Sequence, residues 1–73
     1  FPAGPPPEPE TLTRREAEIL ALLRAGLSDK EIAGRLFLSV LTVKKHNRRI
    51  YQKLGVNSRR KAIAKAESLK LIP

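Results

Sequence analysis

Two capping boxes, fifteen residues apart, limit what the first half of this chain can form. Thr13 is followed three positions later by Glu16, and Ser28 is followed in the same way by Glu31. In such a pair the hydroxyl and the carboxylate each accept a hydrogen bond from a backbone amide at the helix start. Gly26 lies between the two pairs and favours the left-handed conformation that ends a helix. The spacing therefore predicts two short helices with a tight turn between them.

Similar start and stop signals continue to the end of the chain. Ser39 is a candidate cap for a third helix that ends at Gly55, and Asn57 or Ser58 can cap a fourth. Apolar residues recur at helical spacing, and nowhere does the sequence alternate as a half-buried strand would. We expect an all-α, four-helix domain, with helices over about 14–25, 29–36, 40–54 and 58–70.

Length and composition narrow the possible functions. A chain of 73 residues buries only about 60% of the surface that its unfolded form exposes, so a roomy catalytic cleft is not expected. The sequence offers no set of acid, base and nucleophile, which makes an enzyme the least favoured class. His46 is the only histidine and cysteine is absent, so we expect no metal or other cofactor and a structural role for His46.

The first ten residues, FPAGPPPEPE, contain five of the six prolines. This composition predicts a flexible, proline-rich linker over residues 1–11, followed by a helical domain over residues 12–73; a docking motif is the alternative for the linker. Because the chain starts at Phe1 with this stretch, we expect a piece of a longer protein. No run of about 18 apolar residues occurs, so a soluble, cytoplasmic protein is expected.

Positive charge is concentrated in one part of the chain. The net charge is +8, and residues 32–66 hold ten of the fifteen Lys and Arg residues but no Asp or Glu. Charge of one sign destabilises a compact fold by self-repulsion, and a polyanionic partner would relieve that repulsion. Nucleic acid is the leading candidate, with an anionic membrane or an acidic protein as alternatives.

The third predicted helix carries five of these charges. At about 100° per residue, Val43, Ile50 and Leu54 fall on one side with Asn47 beside them, and we expect that side to face the core. The opposite side comprises Leu41, Lys45, Arg48 and Gln52, flanked by Lys44 and Arg49. A solvated helix face is the simpler interpretation of these charges, and a surface that binds a partner is the other. The preceding helix decides between these interpretations.

A short helix, a tight turn and a longer helix form a helix-turn-helix. Ala33 supplies the small residue that the helix crossing requires, and apolar residues around the turn fix the crossing angle, namely Ile32, Leu36, Leu38 and Val43. Phe37, in the turn, is expected to be partly buried. In such a pair the second helix enters the DNA major groove while the first lies across the backbone. Double-stranded DNA is therefore the expected partner.

Several short motifs follow one another at fixed spacing. They are Leu12-Thr13 with Glu16, Gly26-Leu27-Ser28 with Glu31-Ile32-Ala33, Ser39 with Thr42-Val43-Lys44, His46, and Lys53-Leu54-Gly55-Val56 followed by Arg59 and Ala62. From about Leu12 to Leu71 the chain resembles the LuxR-type (LuxR/NarL/MalT-like, GerE-like) helix-turn-helix domain of bacterial transcription regulators. It departs from that pattern at Asp29, where Asn is usual, and at Leu41, where a polar residue or Pro is commoner; Asn47 occupies a variable position.

The resemblance implies sequence-specific DNA binding, with roles for individual residues. Base contacts are expected from Lys44, Lys45 and Arg48, which the helical wheel independently exposes. Arg48 is the best candidate for a bidentate contact to guanine. Phosphate contacts are expected from Lys30, Ser39, Thr42, Arg49 and Lys53, with Arg59, Arg60 and Lys61 as further candidates. Capping is the simpler role for Ser39.

In the LuxR-type family the last helix forms a homodimer contact. The resemblance places Ile63, Ala66, Glu67 and Lys70 on or near that surface, while the alternative that this helix only completes the core stays open. RNA polymerase is a candidate further partner, and no membrane is expected to be one. The rival classes are a promoter-recognising region of a sigma factor and a module that binds an acidic protein. The segment KLGV and a full fourth helix favour the LuxR type.

Overall fold

The computed structural model describes residues 12–70; residues 1–11, where we predicted a linker, and 71–73 lie outside the described part. Four helices follow one another: α1 (Arg14–Arg24), α2 (Asp29–Leu36), α3 (Val40–Leu54) and α4 (Arg59–Ser68). No strand occurs in residues 12–70, and the predicted all-α fold class is confirmed. None of these helices combines the length and the apolar character needed to cross a membrane. The third helix packs against the other three, which therefore fix its orientation.

A hydroxyl residue starts every helix in residues 12–70. The side chains of Thr13, Ser28, Ser39 and Ser58 each accept a hydrogen bond from the backbone N–H three residues later. The first two complete the predicted capping boxes, because Glu16 Oε1 accepts from the Thr13 N–H at 2.9 Å and Glu31 Oε1 accepts from the Ser28 N–H at 2.8 Å. Of the two candidates for the fourth cap, Ser58 is the one used.

The bounds of the two middle helices agree with the predicted ranges, and those of the first and last helices differ from them by one or two residues. The bounds of α2 and α3 are those predicted, and α1 ends at Arg24 with Ala25 as its C-cap. The fourth helix is slightly shorter than the predicted range of about 58–70, since α4 spans Arg59–Ser68 and Lys70 has a φ of 57°. A residue in the left-handed region cannot continue a right-handed helix.

The core is built from small and medium aliphatic side chains contributed by all four helices. Its buried members are Ile19, Leu20, Leu23, Ile32, Ala33, Val43, Ile50, Leu54, Ala62 and Ala66. The predicted inward side of α3 is confirmed, because Val43, Ile50 and Leu54 are buried and Asn47 lies beside them at 6% exposure. Burial of each large aliphatic side chain stabilises the fold by about 1.5 to 3 kcal/mol. This packing fixes which side of α3 remains at the surface.

Phe37 is where the turn departs from expectation. Its side chain is 95% exposed rather than partly buried, and it is the C-cap of α2 with φ 59° and ψ 42°. The Leu38 N–H donates to the Ala33 carbonyl at 2.8 Å, which closes the left-handed turn typical of helix C-termini. Leu38 packs against the core in its place. The corresponding residues after α1 and α3 are Gly26 and Gly55, so a phenylalanine occupies a conformation that favours glycine.

We expect Phe37→Gly to raise the free energy of unfolding by about 0.5 to 1 kcal/mol. The left-handed conformation is strained for a side chain with a Cβ, and little packing is lost because the ring is exposed. Urea unfolding followed by circular dichroism measures the change. Gly55→Ala is the matched control and should be destabilising, since Gly55 has a φ of 69°. A destabilising Phe37→Gly would mean that the ring contributes to the fold.

Candidate nucleic-acid interface

The crossing of α2 and α3 is closely packed at the positions that the sequence indicated. Ala33 is buried at 5% exposure, and Ile32 and Val43 are fully buried. The connection between the two helices is three residues long, from Phe37 to Ser39. A short helix is thus joined by a tight turn to a helix of fifteen residues. This is the geometry of a helix-turn-helix.

The outer side of α3 brings together the three residues predicted to contact bases. Lys44, Lys45 and Arg48 are exposed and, with Leu41, they line one shallow depression on the surface of the helix. We call these four residues the α3 outer face. Arg49 is exposed beside it. The side chains are accessible and mutually close, as a surface that reads base edges requires, and their individual roles remain predictions.

Carboxylates in residues 12–70 are paired with cations away from the α3 outer face, apart from the capping Glu31. On α1, Arg15 Nε lies 4.0 Å from Glu18 Oε1. Between α1 and α4, Arg24 Nε lies 3.5 Å from Glu67 Oε2. The other two ion pairs join Glu16 to Lys53 and Asp29 to Arg59. Within the described part of the chain, no carboxylate forms an ion pair with a cation of the α3 outer face or with Arg49. Among residues 12–70, the positive charge of this surface is therefore not compensated by an ion pair with a carboxylate.

Lys53, one of the predicted phosphate contacts, has a partner inside the protein. Its Nζ donates to Glu16 Oε1 at 2.7 Å, and the two side chains are 22% and 3% exposed. The same Oε1 accepts the Thr13 N–H, so the carboxylate joins the start of α1 to the last turn of α3. Sequence reasoning missed this pair because it treated Lys53 only as a surface charge. A phosphate contact by Lys53 stays a prediction, and it would compete with this ion pair.

The Glu16 carboxyl is held in its charged form. Burial raises its pKa, but hydrogen bonds from Lys53 and Thr13 and the nearby ammonium charge more than offset that effect, so the pKa is lowered from its usual value. The pKa of Glu31 is also lowered, chiefly by the hydrogen bond from the Ser28 backbone. Both carboxylates therefore stabilise the fold in their ionised state.

A second inter-helix contact connects α2, α3 and the start of α4. Asp29 Oδ1 accepts from Asn47 Nδ2 at 2.9 Å and from Arg59 Nη2 at 3.3 Å. Asp29, which departs from the LuxR-type pattern, and Asn47, which occupies a variable position in it, thus contact each other. Arg59, a further candidate for a phosphate contact, is thus paired with Asp29 while its side chain remains 41% exposed. Nearby on α3, burial raises the pKa of the Tyr51 phenol.

Ser39 and Thr42, both predicted phosphate contacts, lie at the start of α3. Ser39 Oγ accepts the Thr42 N–H at 3.1 Å, and the two hydroxyl oxygens are 2.9 Å apart. Ser39 is exposed and Thr42 is half-buried, whereas Lys30 is exposed on α2. The predicted capping role of Ser39 is confirmed, and a cap at a helix start is also placed to meet a phosphate.

The residues predicted at a dimer contact do not share one accessible surface. Ala66 is fully buried in the core, so its side chain is not exposed on this surface, and its part in a dimer contact stays a prediction. Ile63 is half-buried, Glu67 is exposed and paired with Arg24, and Lys70 lies beyond the end of α4. The spacing of four residues between Ala62 and Ala66 places both on the inner side of the helix.

The fold and this surface define a helix-turn-helix domain. Residues 10–66 match the model of bacterial regulatory proteins of the luxR family (GerE). The chain therefore belongs to the luxR family of bacterial regulatory proteins, which confirms the resemblance seen in its motifs. No group of three or more His, Cys, Asp or Glu residues within positions 12–70 could hold a metal ion.

Two known relatives are much longer than this chain. The chain is 45% identical over 58 residues to the HTH-type transcriptional regulator MalT of Serratia proteamaculans (strain 568). The aligned residues make up 80% of this chain and 6% of that protein. The chain also superposes, with a TM-score of 0.83 and 48% identity, on the crystal structure of the response regulator ChrA of a heme-sensing two-component system. That match covers 85% of this chain and 31% of the other. The chain thus spans a small part of each relative.

Proposed function

We propose that this chain binds double-stranded DNA sequence-specifically, with α3 in the major groove, as the output domain of a bacterial transcription regulator. The observation that carries the proposal is the α3 outer face. Its cations project from the side of α3 opposite the core and form no ion pair with a carboxylate of residues 12–70. The major groove admits one helix, and Arg and Lys donate to guanine O6 and N7.

The predicted base contacts, and the predicted phosphate contacts other than Lys53, which is paired with Glu16, all take a place in this proposal. Lys44, Lys45 and Arg48 contact base edges, with Arg48 bidentate to a guanine. Phosphates are bound by Lys30, Ser39, Thr42 and Arg49, which set the position of the helix on the duplex. The role of the domain is binding rather than catalysis.

The family and its longer relatives support the wider context that we propose. The domain acts in the cytoplasm and pairs with a second copy on DNA through the exposed side of α4 near Ile63 and Glu67, and RNA polymerase is a candidate further partner. The proline-rich residues 1–11 serve as a linker to other parts of a regulator. Operators recovered as two half-sites at a fixed spacing would support the pairing.

Selection of bound duplexes from a random pool, followed by titration of the selected duplex, tests the proposal. We expect one recurrent sequence motif, and we expect Arg48→Ala to relax preference at one base position by about 1 to 3 kcal/mol. Arg15→Ala is the matched control, because Arg15 is already paired with Glu18 on α1. Its preference should equal that of the unaltered chain.

Two outcomes would contradict the proposal at different levels. A selection that yields no motif, or binding to duplexes that is absent even at low salt, would reject DNA recognition. A loss of affinity from Arg48→Ala that is equal for all duplexes would leave DNA binding in place and reject base reading by Arg48.

A further inference from the structure

One member of the α3 outer face is apolar. Leu41 is 72% exposed, and it is the second residue of α3. Single exposed leucines are common on protein surfaces and need no explanation alone. Leu41 differs because the depression that it lines is otherwise formed by the cations Lys44, Lys45 and Arg48. Its surroundings therefore attract an anionic partner.

Helical spacing places Leu41 in line with the base-reading residues. It precedes Lys44 by three residues, Lys45 by four and Arg48 by seven, which are the separations that lie on one face of a helix. The N-terminal residues of a recognition helix are those that contact base edges. Leu41 thus enters the groove wherever the other three do.

The chemistry of the major groove leaves few partners for a leucine side chain. It has no donor or acceptor, so it cannot read the N7, O6, O4 or amino groups of the bases. Thymine presents an apolar C5-methyl group there, and apolar side chains are suited to contact it. A docked protein is the other conceivable occupant, but the three cations around Leu41, which form no ion pair with a carboxylate of residues 12–70, favour a phosphate-bearing partner.

We propose that Leu41 is a specificity-determining residue that contacts the 5-methyl group of a thymine next to the base pairs read by Lys44, Lys45 and Arg48. The proposal rests on DNA binding by the α3 outer face and adds an apolar contact to it. It gives a function to a residue that departs from the family pattern. The motif bound by this chain should accordingly contain a thymine at that position.

Replacing each thymine of the selected duplex by deoxyuridine, one at a time, removes only a methyl group. For the unaltered chain we expect one position at which this lowers affinity about fourfold, the value for one buried methyl group. Leu41→Ala should weaken binding to the thymine duplex and should bind the thymine and deoxyuridine duplexes equally. Fluorescence anisotropy of labelled duplexes gives both affinities, and circular dichroism confirms that the variant is folded.

Leu69→Ala is the matched control, since Leu69 is an exposed leucine at the C-cap of α4, away from α3. It should retain the full sensitivity to deoxyuridine. The proposal is overturned if no thymine responds, or if Leu41→Ala keeps the same sensitivity as the unaltered chain. It is also overturned if Leu41→Ala binds DNA normally but loses capture of a protein partner. Absence of any selected motif would reject the proposed function itself, so the two failures are distinguishable.

Discussion

Lys53→Ala is expected to lower the free energy of unfolding by about 2 to 4 kcal/mol, since it leaves a buried carboxylate without its counter-charge. Glu16 is only 3% exposed at its side chain, and Lys53 Nζ lies 2.7 Å from it. A domain of this size is stable by only about 5 kcal/mol, so much of the stability would be lost. Urea unfolding followed by circular dichroism measures the change.

A double-mutant cycle separates this effect from loss of charge in general. Glu16→Gln keeps a side chain that can complete the capping box but removes the buried negative charge. The double variant Glu16→Gln with Lys53→Met should therefore recover most of the stability that Lys53→Ala loses. Arg49→Ala, on an exposed part of the same helix, should change stability little. If Lys53→Ala were as mild as Arg49→Ala, the pair would contribute nothing measurable.

The pH dependence of stability gives a second measure of the same pair. The pKa of Glu16 is lowered in the folded state, in spite of the opposing effect of burial. Its contribution is therefore present above the ordinary value of 4.5 and is lost as the pH falls through the folded-state pKa. The difference in stability between the unaltered chain and Lys53→Ala should shrink in acid. A difference that stays constant from neutral pH to well below 4.5 would contradict the pairing.

The features that the sequence predicts well are those determined over a few residues. The starts of α2 and α3 follow from Ser28 and Ser39, the end of α3 follows from Gly55, and the inward side of α3 follows from its periodicity. The same periodicity exposes Lys44, Lys45 and Arg48 without any knowledge of the fold. The candidate interface lies on one helix, and for this reason it can be largely predicted from one segment.

The features that the sequence does not predict depend on how the helices dock. Glu16 and Lys53 are 37 residues apart in the chain, and Asp29 and Asn47 are 18 apart. Each side chain has an adequate local explanation, as a cap or a surface charge, so nothing local indicates its partner. Ala66 is a similar case, because an alanine suits a buried position and a helix interface equally. Lys53 and Ala66 were accordingly predicted at surfaces that their packing restricts.

The affinity for the selected duplex is expected to fall about 100-fold as monovalent salt rises from about 50 to about 200 mM, if the domain neutralises about four phosphates. Among the residues predicted or considered for phosphate contacts, the exposed cations that form no ion pair with a described carboxylate are Lys30, Arg49, Arg60 and Lys61. Anisotropy titrations at several salt concentrations give the slope of log affinity against log salt. An affinity that does not change with salt would reject phosphate neutralisation and the proposed function with it.

The same slope decides the role of Lys53. Arg49→Ala should reduce the magnitude of the slope of log affinity against log salt by about 1, because one phosphate contact is lost. The double variant Glu16→Gln with Lys53→Met keeps the net charge and is expected to fold, and its slope should equal that of the unaltered chain, since the ammonium is already bound to Glu16 at 2.7 Å. A reduction as large as that of Arg49→Ala would show instead that Lys53 leaves Glu16 to bind a phosphate. Lys53→Ala alone cannot decide this, because unfolding also weakens its apparent affinity for every duplex.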